Sequence, residues 1–153
     1  MKRALFFVFA FSFLYTTALF PQEEDTVRVY PAWAILNAAF VGDADFLRDI
    51  LETNPDIDIR DSMGATALHI AIFQENLEIL QLLLEYGFDI NAQVPSNGYT
   101  PLHYCVRMNN LNAARFLLAH NADRTIRDSD GYTPMERATK EAKRDMIILF
   151  MRY

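Results

Sequence analysis

Thr66-Ala67-Leu68-His69 returns 34 residues later as Thr100-Pro101-Leu102-His103, and after a further 33 as Thr133-Pro134-Met135-Glu136. A self-match at such a period is the mark of stacked supersecondary units, each too small to bury its own apolar face. The match extends on both sides. Gly64, Gly98 and Gly131 stand two residues before the threonines, and Ala71, Cys105 and Ala138, all small, stand five after. Leu83-Leu84 and Leu117-Leu118 follow at one offset, with Phe150-Met151 in the last copy, and Asp89 and Asp123 close their copies. Counting back by 33 finds a degenerate copy at the front, with Trp33 in the threonine column, Ala38 in the small column and Ile50-Leu51 in the Leu-Leu column. The copies run over about residues 28–60, 61–94, 95–127 and 128–153.

Most columns have a physical reason. The glycines permit a turn with positive φ. The threonines suit a helix N-cap, and Pro101 and Pro134 then occupy the first helical position, where a missing N–H costs nothing. Leu68 with Ala71, and Leu102 with Cys105, lie three apart on one helix face, and the small member lets two helices approach closely. A second helix reads Leu77, Ile79, Leu80, Leu83, Leu84 in one copy and Leu111, Ala113, Ala114, Leu117, Leu118 in the next. Gly87 and Asn121 follow as C-terminal caps, both tolerant of the left-handed conformation. The pattern predicts an all-α chain of stacked helix pairs, and such a solenoid offers an extended surface suited to binding.

On Gly64, Thr66, Leu68, His69, Ala71, Leu83, Leu84, Gly87, Asp89, Asn91 and Ala92, and on Gly98, Thr100, Pro101, Leu102, His103, Leu117, Leu118, Ala122 and Asp123, the chain resembles the ankyrin-repeat family over about residues 30–153. The resemblance implies an α-solenoid of about four ankyrin repeats, with paired antiparallel helices and loops projecting as β-hairpin fingers. It also implies that His69 and His103 are structural, bonding the threonine hydroxyl and a neighbouring loop. The departures fall in the terminal copies, where one face meets water. Trp33 and Pro31 replace the threonine and glycine of the first copy, and Glu136 replaces the histidine of the last. The finger near Val94-Pro95-Ser96-Asn97 carries one extra residue.

Residues 1–18 read as a signal peptide. Lys2-Arg3 is the positive region, Ala4 to Tyr15 is almost wholly apolar, and Thr16-Thr17-Ala18 offers small residues for cleavage. The rival is an uncleaved anchor reaching to about residue 20. Both place the repeats outside the cytoplasm, in a periplasm or secreted. Residues 19–29 are then a linker and residues 30–153 the repeat domain. Charge is uneven: residues 19–100 carry 14 Asp/Glu against 3 Arg, whereas residues 101–153 carry 9 Lys/Arg against 6 Asp/Glu. The overall acidity argues against a nucleic-acid partner.

No constellation points to catalysis. His69 and His103 lie one copy apart, roughly 8–10 Å, too far to share a metal ion. Ser62, Ser96 and Ser129 sit in turns without a Gly-x-Ser-x-Gly context. Asp56/Asp58 and Asp128/Asp130 lack the spacing of a calcium loop and suit turn and capping duty. The single cysteine, Cys105, occupies the small core column and reads as a structural thiol. No enzyme activity, cofactor or metal is expected.

Family members usually bind partners on the fingers and the exposed face of each first helix. Carried over column by column, this selects Phe40 from the first copy and Met63, Phe73 and Gln74 from the second. It adds Asn97, Tyr99, Arg107 and Met108 from the third, and Asp130, Tyr132 and Lys140 from the fourth. Aromatic residues, Met and Arg are enriched at protein interfaces. Phe40 and Phe73 are equally consistent with packing between copies. A last patch, Met146 to Met151, is apolar all round and suggests a partner, self-association or a covering tail. The expected function is a protein–protein interaction module, an adaptor or protective partner outside the cytoplasm. The alternative is an inhibitor or immunity-type protein whose acidic front caps one exported enzyme.

Overall fold

Each copy folds as two short helices joined by a tight turn. The computed structural model describes residues 28–53 and 55–153. The predicted signal segment, its cleavage point and most of the linker lie outside the described residues. The helices are α1 (Ala34–Val41), α2 (Ala44–Leu51), α3 (Ala67–Ala71), α4 (Leu77–Glu85), α5 (Pro101–Met108), α6 (Leu111–Ala119), α7 (Pro134–Lys140) and α8 (Arg144–Phe150). Odd-numbered helices pack side by side as an inner row and even-numbered helices as an outer row. This is the expected all-α solenoid of four copies. Helices of five to nine residues are too short to persist alone, so packing stabilises them.

The inner helices start as predicted. Thr100 Oγ1 accepts from the His103 N–H at 3.4 Å, and Thr133 Oγ1 from the Glu136 N–H at 3.3 Å. α1 begins at Trp33 without a side-chain cap, as its departure from the pattern implies. The first three outer helices have caps of their own: Asp43 accepts from the Phe46 N–H, Asn76 from Glu78 and Asn110 from Ala113, each at 2.9 Å. The core lies between the rows. Leu68, Leu102, Ala71, Cys105 and Ala138 are all fully buried. Each buried leucine contributes roughly 1.5–3 kcal/mol relative to exposure.

The fingers close as tight turns. The Asp61 N–H bonds the Ala65 carbonyl, Val94 bonds Tyr99, and Asp128 bonds Tyr132, each at 2.9 Å. The second turn spans one more residue, as expected. The expected β-hairpins are reduced: among the described residues there is no strand, only an isolated antiparallel bridge between Arg60 and Thr66. Finger carbonyls also accept from side chains of their own and the preceding finger. Arg60 Nη1 donates to the carbonyls of Gly64 (2.9 Å) and Gln93 (3.2 Å). Gln93 Nε2 donates to those of Gly98 (2.8 Å) and Arg127 (3.1 Å). Gly98 is doubly required. Its φ is +69°, and a Cβ there would stand 2.7 Å from the Ser129 nitrogen of the next finger.

Two features mark the last copy. Ala142, between α7 and α8, has φ of +55°, a conformation that costs a residue with a Cβ roughly 1–2 kcal/mol. And the run Met146 to Met151 does leave apolar side chains outside as well as inside. Met146, Leu149 and Phe150 turn into the core, Ile148 and Met151 are exposed, and Arg144 and Asp145 make the first turn polar. Among the described residues no helix is long and apolar enough to cross a membrane.

Candidate binding surface

The ends of the inner helices and the fingers beside them carry the predicted residues. Because every copy repeats the same turn, equivalent side chains line up across copies. One column reads Phe40, Phe73, Arg107, Lys140, and all four are exposed. Phe40 keeps 59% and Phe73 49% of its surface accessible, so packing between copies does not consume them. Met108 and the fingertip Met63 are exposed as well.

The remaining predicted residues have internal duties. Gln74 is half-buried and its Nε2 donates to the Phe40 carbonyl, tying the second copy to the first. Asn97 Oδ1 accepts from the Tyr99 N–H at 2.9 Å, while the Asn97 carbonyl accepts from the Ser129 N–H at 2.9 Å. Asp130 is exposed but held by Arg137 Nη2 at 2.9 Å. Tyr99 and Tyr132 are half-buried, with Tyr99 stacked on His103 at 5.4 Å between ring centres.

Two residues of this surface escape the sequence reading. Tyr104 and Arg137 occupy one column, three residues before Arg107 and Lys140 and therefore on the same helix face. The Tyr104 ring meets Phe73 edge-on at 6.2 Å, Tyr99 at 6.0 Å and His69 at 4.9 Å. The Arg137 guanidinium lies 5.3 Å from the Tyr99 ring centre and 4.9 Å from that of Tyr132. Lys140 Nζ sits 4.3 Å from the centre of the Tyr132 ring. Such cation–aromatic contacts fix both partners. The available signal was that this column varies between copies, as Ile70, Tyr104, Arg137, just as the selected columns do.

Arg137 is nearly buried and bonds the fully buried Asp128 carboxylate through Nε at 2.8 Å and through Nη2. Burial opposes ionisation of Asp128. Hydrogen bonds from Arg137 and from the Tyr132 and Asp130 N–H groups outweigh it and hold the carboxyl below its ordinary range. Turn duty, expected for Asp128, is thus joined by a buried ion pair.

The histidines are scaffold, as the resemblance implied. His69 Nδ1 accepts from the Thr66 N–H (3.2 Å) and faces the Thr66 hydroxyl (2.9 Å), while Nε2 donates to the Tyr99 carbonyl at 3.1 Å. His103 repeats this with Thr100 and the Tyr132 carbonyl at 3.0 Å. Burial lowers the His69 pKa to about 4 and lowers that of His103, so both are neutral. Burial raises the Cys105 thiol, which suppresses its nucleophilic form. Among the described residues no group of three His, Cys, Asp or Glu side chains is placed to hold a metal. On the outer helices Arg48 bridges Asp45 and Glu78, both at 3.1 Å.

A family model described as ankyrin repeats, in three copies, matches residues 35–128 and 93–153. Among curated proteins, the chain is 38% identical over 87 residues to protein phosphatase 1 regulatory subunit 27 of Mus musculus, covering 57% of this chain and 55% of that protein. It is 32% identical over 118 residues to palmitoyltransferase Hip14 of Drosophila melanogaster, covering 75% of this chain and 18% of that protein. It is 37% identical over 76 residues to putative ankyrin repeat protein L271 of Acanthamoeba polyphaga mimivirus, covering 50% of this chain and 10% of that protein. The chain therefore spans about half of the first and less than a fifth of the other two.

Proposed function

The chain belongs to the ankyrin-repeat family, and on that premise we propose a non-catalytic protein-binding module that acts outside the cytoplasm, as adaptor or protective partner of another exported protein. The observation that carries the binding role is the inner-face column of exposed side chains, in register across four copies and resting on the rigid Tyr99–Tyr104–Arg137–Tyr132 layer. Aromatic side chains have few rotamers to lose on binding, which suits an interface centre. Lys2-Arg3, the apolar run after it and the small residues before Leu19 support the export reading.

The test is capture by the full chain, tagged at its C-terminus and expressed in its native host, with exported and cytoplasmic fractions analysed separately. A specific partner in the exported fraction, lost with Phe73→Asp and Met108→Asp, is the expected result. Capture indifferent to both substitutions rules out the inner face, and a tagged chain confined to the cytoplasm rules out export. The exposed acids of α2 and α4 favour one further reading, an inhibitor capping an exported enzyme. A single stoichiometric complex that dissolves at high salt would select it, since screening weakens exposed charge pairs.

A further inference from the structure

We propose that the inner face takes a segment of a partner protein in the polyproline II conformation, in which two apolar side chains are followed, at three-residue intervals, by two carboxylates. This rests on the protein-binding reading above and names the chemistry of the partner.

The column Phe40, Phe73, Arg107, Lys140 changes character halfway along the solenoid. Its first two members are large, apolar and about half exposed, and its last two are exposed cations. Unlike Arg137 beside them, Arg107 and Lys140 have no carboxylate partner among the described residues. Glu141 follows Lys140 in sequence, yet Lys140 lies over the Tyr132 ring and makes no ion pair with it. The exposed acids of α2 and α4, Asp45, Asp49, Glu78 and Glu85, lie on the outer row, away from these cations.

Packed helices are spaced by roughly 8–10 Å, and a chain in the polyproline II conformation advances about 3.1 Å per residue with three residues per turn. Three residues of ligand therefore span one copy, so every third side chain meets the next member of the column. A wholly apolar ligand would cover Arg107 and Lys140 without pairing them, at a desolvation cost. A basic one would meet them with like charge. Carboxylates at these two steps satisfy both, beside rings that already order Lys140.

The experiment is selection of random twelve-residue peptides displayed on phage against the immobilised full chain, with the Arg107→Glu/Lys140→Glu double variant selected in parallel. The pool is expected to converge on the apolar, apolar, acidic, acidic order at three-residue spacing, read in either chain direction. A synthetic consensus peptide then binds the variant at least tenfold more weakly. Circular dichroism checks that the variant is folded, and Arg107→Gln/Lys140→Gln supplies the same comparison if it is not. A pool of basic or purely apolar peptides, or a consensus indifferent to both positions, overturns the inference and leaves the protein-binding reading standing. An empty pool also overturns it, and the capture experiment judges the broader reading independently.

Discussion

His69 shows how much one residue carries. It is fully buried, accepts the Thr66 N–H at its own helix start and donates to the carbonyl of the next finger. Its pKa of about 4 in the folded chain compares with about 6.5 when unfolded. Between those values the unfolded chain holds a proton that the folded chain does not. The stability from a neutral His69 is therefore complete above pH 6.5 and is lost as pH falls toward 4, on the order of 3 kcal/mol. His103 is shifted in the same direction. Urea unfolding is expected to show the midpoint falling between pH 7 and pH 4.5, less steeply in His69→Gln; a midpoint unmoved in the parent would contradict the buried neutral histidine. Glu136 performs part of this duty in the last copy, accepting the Thr133 N–H at 2.8 Å. Its carboxylate has no ring nitrogen to donate onward and pairs instead with Arg127 at 2.7 Å. The Thr-x-x-His column was legible in the sequence because local spacing sets a capping box. The acceptor 30 residues away was available only from family resemblance until the finger was placed.

At the scale of the element, the last finger and α7 are joined by the Arg137–Asp128 pair. Asp128 has no exposed side-chain surface, so removing its partner strands a buried charge. Arg137→Ala is expected to destabilise the chain by roughly 3–5 kcal/mol, read from denaturant midpoints. A loss below about 1 kcal/mol would instead match an exposed pair. The same substitution frees Tyr99 and Tyr132, so the binding platform should loosen with it. Neither side of this pair was visible beforehand. Asp128 occupies a turn position that explains it fully, and Arg137 replaces Tyr104 in a column whose variation between copies signals exposure to change but names no partner. The fingers likewise were foreseen as hairpins from resemblance; the side-chain bonds their carbonyls accept from the preceding finger were not.

Across the whole molecule each copy packs on its neighbours, with one apolar core running from Ala34 to Phe150. Stability is then the sum of weak units and strong interfaces. Leu102, fully buried in α5, belongs to an inner helix that packs against both α3 and α7. Leu102→Ala is expected to cost roughly 2–5 kcal/mol and to shift one unfolding transition as a whole. Two separated transitions would show that the copies unfold independently. The sequence by itself determined the repeat, the helix starts, the turn glycines and the core columns, since each depends on contacts within a few residues or on a fixed period. Only the tertiary structure decided which of the varying columns stay open. Gln74 is drawn into a bond between copies and Asn97 into its own finger turn, whereas Phe40, Phe73, Arg107 and Lys140 are left to solvent. That division depends on how neighbouring copies meet, and the spacing of residues along a chain does not encode the distance between its stacked turns.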